Sequence, residues 1–216
     1  MSVVPALVSV VACVAPVSST GTATQLVTVT APAHATTTAT VTLWSRNGSC
    51  WRRAGGPWSA RVGRNGISTH HREGDGTTPV GAFALGQVVY GVAPDPGVRL
   101  AYHRLVCGDW WDEDPASPTY NTFRHVRCGA RPPFRGGSEA LWTYATAYRH
   151  FAVIEYNAHP RVPRRGSAIF LHADTGRATN GCVSLPLPNL VPTLRWLRSA
   201  AHPLIAIGTS AELRRL

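Results

Sequence analysis

The sequence predicts a mainly β fold with one or two short helices, and three observations support this fold class. Apolar residues alternate with Thr over residues 26–30 and 40–44, which is the two-residue period of a half-buried strand. The chain also contains 20 Gly and 17 Pro, which favours frequent turns. Apolar residues at helical spacing occur in two short stretches of the sequence, 138–147 and 190–198.

These patterns predict the elements in chain order. The strands at 26–30 and 40–44 are expected to pair as a hairpin around residues 33–38. The stretch 138–147 is expected to be helical. The helix at 190–198 is expected to follow Asn189 as its N-cap, with Pro192 in its first turn. Further strand-like runs occupy residues 81–85, 151–156, 168–171 and 203–207.

Length and charge limit the classes of partner. A chain of 216 residues that is 44% hydrophobic can bury one sizeable core, and no apolar run reaches the ~20 residues of a membrane-spanning helix. The formal net charge is +10 and every basic residue is Arg, which predicts an anionic partner. A genomic base-composition bias is the alternative explanation for the absence of Lys. The Arg residues are spread along the chain, so nothing specific favours nucleic acid.

Residues 1–23 are predicted to be an export signal peptide, although no Arg or Lys precedes the apolar segment. Residues 3–17 are apolar and small, and residues 18–23 offer small side chains for cleavage. Cys13 follows Val10-Val11-Ala12 and also fits a lipobox, in which case it would become a lipidated N-terminus. Both processes predict a secreted, extracytoplasmic protein associated with the cell wall.

Four cysteines follow residue 23, and four cysteines allow three sets of disulfides. Cys107 and Cys128 flank an acidic, aromatic segment whose Pro residues predict an irregular loop, either a lid or a solvated turn. Closing a loop of about 20 residues stabilises a domain by roughly 3 kcal/mol, so we predict a Cys107–Cys128 disulfide. Cys50 and Cys182 are then left, either paired with each other or with Cys182 free.

Two segments carry candidate chemistry. Residues 72–83 form a Gly-rich loop before a strand, without the Lys and the spacing of a phosphate-binding loop. In the second segment, His172 ends an apolar strand and Gly181-Cys182 follows it. A Cys nucleophile needs a base such as His, and the backbone N–H groups of Gly181 and Cys182 would form an oxyanion hole. The alternative is a Cys50–Cys182 disulfide beside a packed His172.

Together these segments resemble the catalytic domain of the L,D-transpeptidase family, also called the YkuD-type domain. Residues 74–83 match the family pattern Gly-Asp-Gly-x-Thr-Pro-x-Gly-x-Phe, and residues 179–182 match Ser/Thr-x-Gly-Cys. His172 matches the family His that follows an apolar strand. The resemblance covers roughly residues 61–208 and implies a YkuD-like β-sandwich of mixed sheets. Residues 110–118 and 153–157 are similar to a secreted actinobacterial branch of the family.

The resemblance implies a peptidoglycan L,D-transpeptidase that acts in cell-wall biogenesis and cell shape, with no cofactor and no metal. Cys182 would form an acyl-enzyme with a stem tetrapeptide, and His172 would be its base. An amine of a second stem peptide, or of a protein, would then take the acyl group. The implied partners are peptidoglycan stem peptides, the anionic cell wall and carbapenem-type inhibitors, with no nucleic acid and no permanent membrane span.

Two positions depart from the family pattern. Asn180 stands where members often have His before Gly-Cys, and Ser184 stands where they often have Arg or Asn. The usual Arg for the donor carboxylate is therefore missing, and Arg177 or Arg72 is the proposed substitute. The candidate substrate-binding residues are Thr179, Asn180, Ser184 and Arg177.

The domain division follows from the residue patterns at the N-terminus and from the resemblance over the rest of the chain. The expected order is the signal peptide at 1–23, Thr/Val-rich N-terminal strands or a linker at 24–50, the catalytic domain at 51–210 and a tail at 211–216.

Other interpretations of the site stay open. Water as acceptor would give an L,D-carboxypeptidase. A Cys/His peptidoglycan hydrolase of another fold is a further alternative, although its Cys usually precedes its His. A paired Cys182 would leave a catalytically dead, wall-binding domain. His70 and His71 are adjacent and lack zinc-site spacing, so we expect no metal there. Glu139 and Glu155 are interpreted as structural.

Overall fold

The computed structural model describes residues 13–135 and 137–216, and the described chain forms fourteen strands and two α-helices. The strands are β1 Gln25–Thr30, β2 Thr38–Asn47, β3 Cys50–Arg61, β4 Ile67–Ser68, β5 Thr78–Pro79, β6 Gly81–Gly91, β7 Ala101–Arg104, β8 Asp109–Asp112, β9 Thr122–His125, β10 Glu139–Ala140, β11 Phe151–Ile154, β12 Phe170–Ala173, β13 Val183–Leu185 and β14 Leu204–Gly208. The helices are α1 Leu187–Trp196 and α2 Ser210–Leu213.

Nine of these strands form one mixed sheet in the order β11-β12-β13-β3-β2-β1-β14-β6-β7. Strand β11 also pairs with β6, so the sheet folds back on itself and encloses an apolar core. Strand pairs β1–β14, β12–β13 and β6–β7 are parallel, whereas β1–β2 and β2–β3 are antiparallel. The predicted mainly β, YkuD-like sandwich of mixed sheets with short helices is confirmed.

The β1–β2 hairpin shows how the alternation in the sequence produces this sheet. Ala39, Val41 and Leu43 of β2 are buried, whereas Thr38 and Thr40 between them are exposed. This is the two-residue period of a strand with one face on the core. Strand β1 lies between β2 and β14 and is buried over almost its whole length. The predicted hairpin is therefore confirmed, and its strands lie inside the main sheet.

Both helix predictions need correction. Residues 138–147 form the short strand β10 and a 3-10 turn at Leu141–Thr143, because Glu139 and Ala140 pair with β8. Helix α1 begins at Leu187 with Pro186 as its N-cap, so Asn189 is already inside the helix. Pro192 therefore lies in the second turn, beyond the predicted first turn.

The acidic segment after Cys107 begins with a strand, contrary to the predicted irregular loop, whereas residues 113–121 with both Pro residues are irregular as predicted. It contains β8, which pairs with β9 and β10 in a separate three-stranded sheet. The Cys107–Cys128 disulfide joins the two ends of the β8–β9 hairpin. Asp109 is fully buried at the same place and accepts hydrogen bonds from His103 and His125, at 2.8 and 2.6 Å. The disulfide and these hydrogen bonds therefore fix the open end of the β8–β9 hairpin.

The predicted signal peptide lies partly outside the described residues. Within its described part, Val17 is buried and Val14 pairs with Trp51 of β3. Cys13 forms a disulfide with Cys50. This pairing takes Cys50 away from Cys182, so the alternative of a Cys50–Cys182 disulfide is wrong.

Residues 13–135 and 137–216 contain no helix that is long and apolar enough to cross a membrane.

Candidate active site

The parallel strands β12 and β13 bring the two predicted catalytic side chains to one face of the sheet. In this ladder His172 lies opposite Ser184, and Leu171 opposite Val183. Because side chains alternate along a strand, His172 and Ser184 share a face with Phe170 and Cys182, which immediately precedes β13. Phe170 and Cys182 indeed belong to one cluster of buried, largely aromatic residues.

Cys182 is the free cysteine of the described chain, and its side chain is held by the backbone. The thiol donates to the carbonyl of Ala168 and accepts from the N–H of Phe170, both at 3.3 Å. Burial raises the pKa of the thiol, and the negative charge of Glu139 raises it further. The Phe170 N–H opposes this shift to a smaller extent. The resting residue is therefore a neutral thiol, and a base must remove its proton when it reacts.

Ala168 owes its position beside the thiol to an unusual backbone conformation. Its φ is +53°, in the left-handed region that non-glycine residues rarely adopt. The Ala168 N–H donates to Oδ1 of Asn121 at 3.2 Å, and the same oxygen accepts from the indole of Trp111. These contacts fix the Ala168 carbonyl, which in turn orients the Cys182 thiol.

His172 is buried, with 6% of its surface exposed. Its Nδ1 donates to the carbonyl of Ala173 at 2.8 Å, which leaves Nε2 as the atom that can accept a proton. Burial lowers the pKa of His172 and outweighs the Ala173 carbonyl and the Asp174 carboxylate, so the imidazole is neutral at pH 7. Within the described residues, the hydrogen bonds of the Cys182 sulfur all go to the backbone and none to His172.

The loop before Cys182 is organised by Thr179. Its hydroxyl donates to the carbonyl of Cys182 at 2.6 Å and accepts the N–H of Gly181 at 3.1 Å. The Gly181 N–H, a predicted oxyanion donor, is therefore occupied in this structure. Gly181 adopts φ +148°, and a Cβ there would meet Ile169 and the Thr77 carbonyl at 3.1 Å, so the site requires Gly.

The other predicted substrate-binding residues lie in different surroundings. Asn180 is exposed on the cavity wall, and its Oδ1 accepts a hydrogen bond from Arg64. Ser184 is fully buried and donates to Asp174 at 3.3 Å, which keeps its hydroxyl away from a ligand. Arg177 is exposed on the connection between β12 and β13, and it does not line the cavity described next.

A cavity of about 540 Å³ opens over Cys182. Three carboxyl side chains line it, Glu73, Glu113 and Glu139. Glu73 accepts from Tyr120 and from Ser167, and Glu139 accepts from Tyr148, whose ring contacts His172 edge-on. One oxygen of Glu113 is buried without a hydrogen-bond partner among the described residues. The sequence interpretation of Glu139 as a structural residue missed its place in this cavity.

The surroundings of Glu113 and Glu139 in this cavity disfavour the ionised forms of both side chains. Burial raises the pKa of Glu113, and the neighbouring Glu139 and Glu73 raise it further. Burial likewise raises the pKa of Glu139, against the hydrogen bond from Tyr148. At least one of these carboxyl groups is therefore neutral at pH 7, and it loses its proton as the pH rises.

His71 and Arg64 also line this cavity, and the sequence did not single them out for it. The sequence shows His71 only as one of two adjacent histidines without zinc-site spacing. Arg64 donates to the carbonyl of Gly74 at 3.5 Å as well as to Asn180, and so links the Gly-rich loop to the segment before Cys182. Arg72, the suggested substitute for the missing Arg, does not line the cavity. Among the described residues, no group of three or more His, Cys, Asp or Glu is arranged to hold a metal ion.

Comparisons with known proteins agree with this arrangement. The family model described as the YkuD L,D-transpeptidase catalytic domain matches residues 31–200, well over half of the chain. The match includes the Gly-rich loop, His172, the Gly181-Cys182 motif and strands β2 to β13, whereas β1 and β14 lie outside it. No curated protein and no solved structure matches the chain. With a family match of this extent and a free thiol at its motif position, the chain belongs to the L,D-transpeptidase family of peptidoglycan enzymes.

Proposed function

We propose that this protein is a peptidoglycan L,D-transpeptidase that forms crosslinks through an acyl-enzyme on Cys182. The observation that carries the proposal is a free, positioned thiol on the wall of a cavity large enough for a peptide end. The His172 imidazole lies on the same sheet face, in its neutral form. A nucleophile and a neutral base on adjacent strands are the elements of thiol-based acyl transfer.

In the proposed first step, the Cys182 sulfur attacks the carbonyl carbon before the terminal D-Ala of a stem tetrapeptide. The thiol proton passes to Nε2 of His172, and the same proton is delivered to the nitrogen of the leaving D-Ala. The raised pKa of the thiol explains why this transfer must accompany the attack. The Cys182 N–H is the oxyanion donor in this proposal, because the Gly181 N–H is bound to Thr179.

We assign the donor's terminal carboxylate to Arg64. It is the Arg on the wall of the Cys182 cavity, whereas Arg177 and Arg72 lie outside that wall. Its guanidinium already bonds to an amide oxygen and a carbonyl oxygen, both of which a carboxylate can displace. This position replaces the Arg that family members often carry at the position of Ser184.

The proposed setting is the cell wall outside the cytoplasmic membrane. The two disulfides fit an oxidising compartment, and the net charge of +10 fits an anionic polymer. In the second step, an amine of another stem peptide attacks the acyl-enzyme and the crosslink forms. Attack by water would instead release a tripeptide and make the protein a carboxypeptidase.

The test is an intact-mass measurement on the purified full chain, in which Cys50 is paired with Cys13, with a stem tetrapeptide and, separately, with a carbapenem. We expect one covalent adduct from each, mapped to Cys182 and absent from Cys182→Ala. Product analysis then separates crosslinked peptide from tripeptide. A protein that forms no adduct while Cys182 titrates as a free thiol would overturn the proposed activity.

A further inference from the structure

His71 is a second buried imidazole in the site, on an element remote in sequence from His172. It lies in the loop between β4 and β5, with 6% of its surface exposed, and lines the cavity that contains Cys182. Its Cε1 would be 3.6 Å from a Cβ placed on Gly181, the residue before the nucleophile. Its ring packs edge-on against Tyr156, with ring centroids 5.1 Å apart. The imidazole is therefore fixed beside the residue that precedes the nucleophile, with its Nε2 edge next to Gly166.

The hydrogen bonds of His71 determine which nitrogen carries the proton. Its Nδ1 lies 3.1 Å from Oδ1 of Asp75 and 3.1 Å from the hydroxyl of Thr77. The Thr77 hydroxyl donates its proton to Asp75 at 2.8 Å. Nδ1 must then be the donor to the carboxylate, and Nε2 is left with a free lone pair.

Asp75 is itself held in place by the backbone of the Gly-rich loop. One carboxylate oxygen accepts the N–H of Thr77 and the other accepts the N–H of Arg72, both at 2.8 Å. The carboxylate therefore stays charged and aimed at His71. A Cys, a His with its Nε2 free, and a carboxylate that orients this His together form the arrangement of a nucleophile, a base and an orienting group.

We propose that His71 is the base that deprotonates the acceptor amine in the second half of the reaction, with Asp75 as its positioning residue. The assignment rests on the proposed function and divides the two proton transfers between two imidazoles. His172 is held by a backbone carbonyl on the strand and does not line the cavity, whereas His71 lines the cavity that contains Cys182 and that the departing D-Ala leaves open to the acceptor in this proposal. The acceptor is an amine-bearing peptide.

The step balances without a further reactant. The lone pair of the neutral amine attacks the carbonyl carbon of the Cys182 thioester, and Nε2 of His71 takes one proton from the amine nitrogen. The carbon–sulfur bond breaks and the sulfur leaves with the electron pair as a thiolate. The proton held by His71 then returns to the sulfur through solvent, so that an amide replaces the thioester and the thiol is restored.

The two halves of the reaction can be measured separately. Release of D-Ala in the first turnover reports acylation, and the steady-state yield of crosslinked peptide reports transfer to a stem tripeptide with a free side-chain amine. For His71→Gln we expect first-turnover release within about twofold of the wild type and transfer slowed by about 10²-fold or more. Acyl-enzyme on Cys182 should accumulate in the mass spectrum. Asp75→Asn, which keeps the imidazole, should show the same accumulation with a smaller loss.

The matched control is His70→Gln, because His70 is the exposed neighbour of His71 and does not line this cavity. Both of its rates should equal those of the wild type. Equal slowing of acylation and transfer in His71→Gln would overturn the division between the two imidazoles, and unchanged rates would reduce His71 to a packing role. If the wild-type protein releases no D-Ala, the proposed function itself is wrong, and this inference is wrong with it.

Discussion

The two faces of the β12–β13 ladder differ in kind although they belong to the same short strands. One face carries Leu171, Ala173, Val183 and Leu185, all buried in the apolar core that α1 also covers. The other carries His172 and the residues beside Cys182, packed against aromatic side chains and an acidic cavity. The first face needs only apolar neighbours of the right size. The second needs particular atoms from distant loops, so changes to the two faces should have separable effects.

The largest effect should come from the polar face. His172→Gln removes the proposed base for the Cys182 thiol, and general-base catalysis contributes about 10²–10⁴-fold to a rate. We expect first-turnover release of D-Ala to fall by that range, with little change in the unfolding midpoint.

His150→Gln is the control for this variant. His150 is also buried, with Nδ1 bonded to Tyr102 at 3.2 Å, but it precedes β11 and does not lie on the β12–β13 ladder that carries His172. It should retain the acylation rate. If His172→Gln retained the rate as well, the base would have to be sought among the cavity residues.

The comparison also shows how far the sequence could predict this site. The apolar run at 168–171 indicated a strand, which the structure places at Phe170–Ala173, and the motifs singled out Cys182 and His172, because these signals are local. The cavity could not be predicted in the same way. Glu73, Glu113 and Glu139 come from three separate segments, and their meeting depends on the β8–β10 sheet, whose Pro residues suggested a loop. Asn189 failed as an N-cap because the N-cap is Pro186, three residues earlier, and the helix already begins at Leu187.

A substitution on the apolar face should lower the free energy of unfolding and leave the rate of acylation unchanged. Leu171 is fully buried in the core, and Leu→Ala in such a position costs about 2–5 kcal/mol. We expect Leu171→Ala to lower the free energy of unfolding by this amount in a denaturant titration. The fraction that stays folded should still form the acyl-enzyme at the wild-type rate. If Leu171→Ala forms the acyl-enzyme more slowly than the wild type under conditions where both are fully folded, the two faces are not independent.

The Cys107–Cys128 disulfide should contribute to stability without being needed for acylation. The two residues are 21 apart in sequence, and closing a loop of this size contributes about 3 kcal/mol. A double replacement by Ser should reduce the free energy of unfolding by about this amount, as measured by thermal or denaturant unfolding. The hairpin retains the hydrogen bonds of Asp109 with His103 and His125, so acylation should persist. Loss of acylation at temperatures where the protein is folded would mean that the disulfide also shapes the site.

The smallest expected effect concerns the charge on the cavity wall. Burial raises the pKa of the Cys182 thiol, and the Glu139 carboxylate raises it further because it opposes a second negative charge nearby. Glu139→Gln removes that charge, so the thiol pKa should fall and the thiolate fraction at a given alkaline pH should rise. The rate of Cys182 alkylation by iodoacetamide can be followed by mass spectrometry at a series of pH values. Its pH profile should shift to lower pH in Glu139→Gln. Glu155→Gln is the matched control, because burial also raises the pKa of Glu155 and it lies outside this cavity. An unshifted profile in Glu139→Gln would mean that burial alone keeps the thiol protonated, and that the acidic wall acts on the ligand and not on the nucleophile.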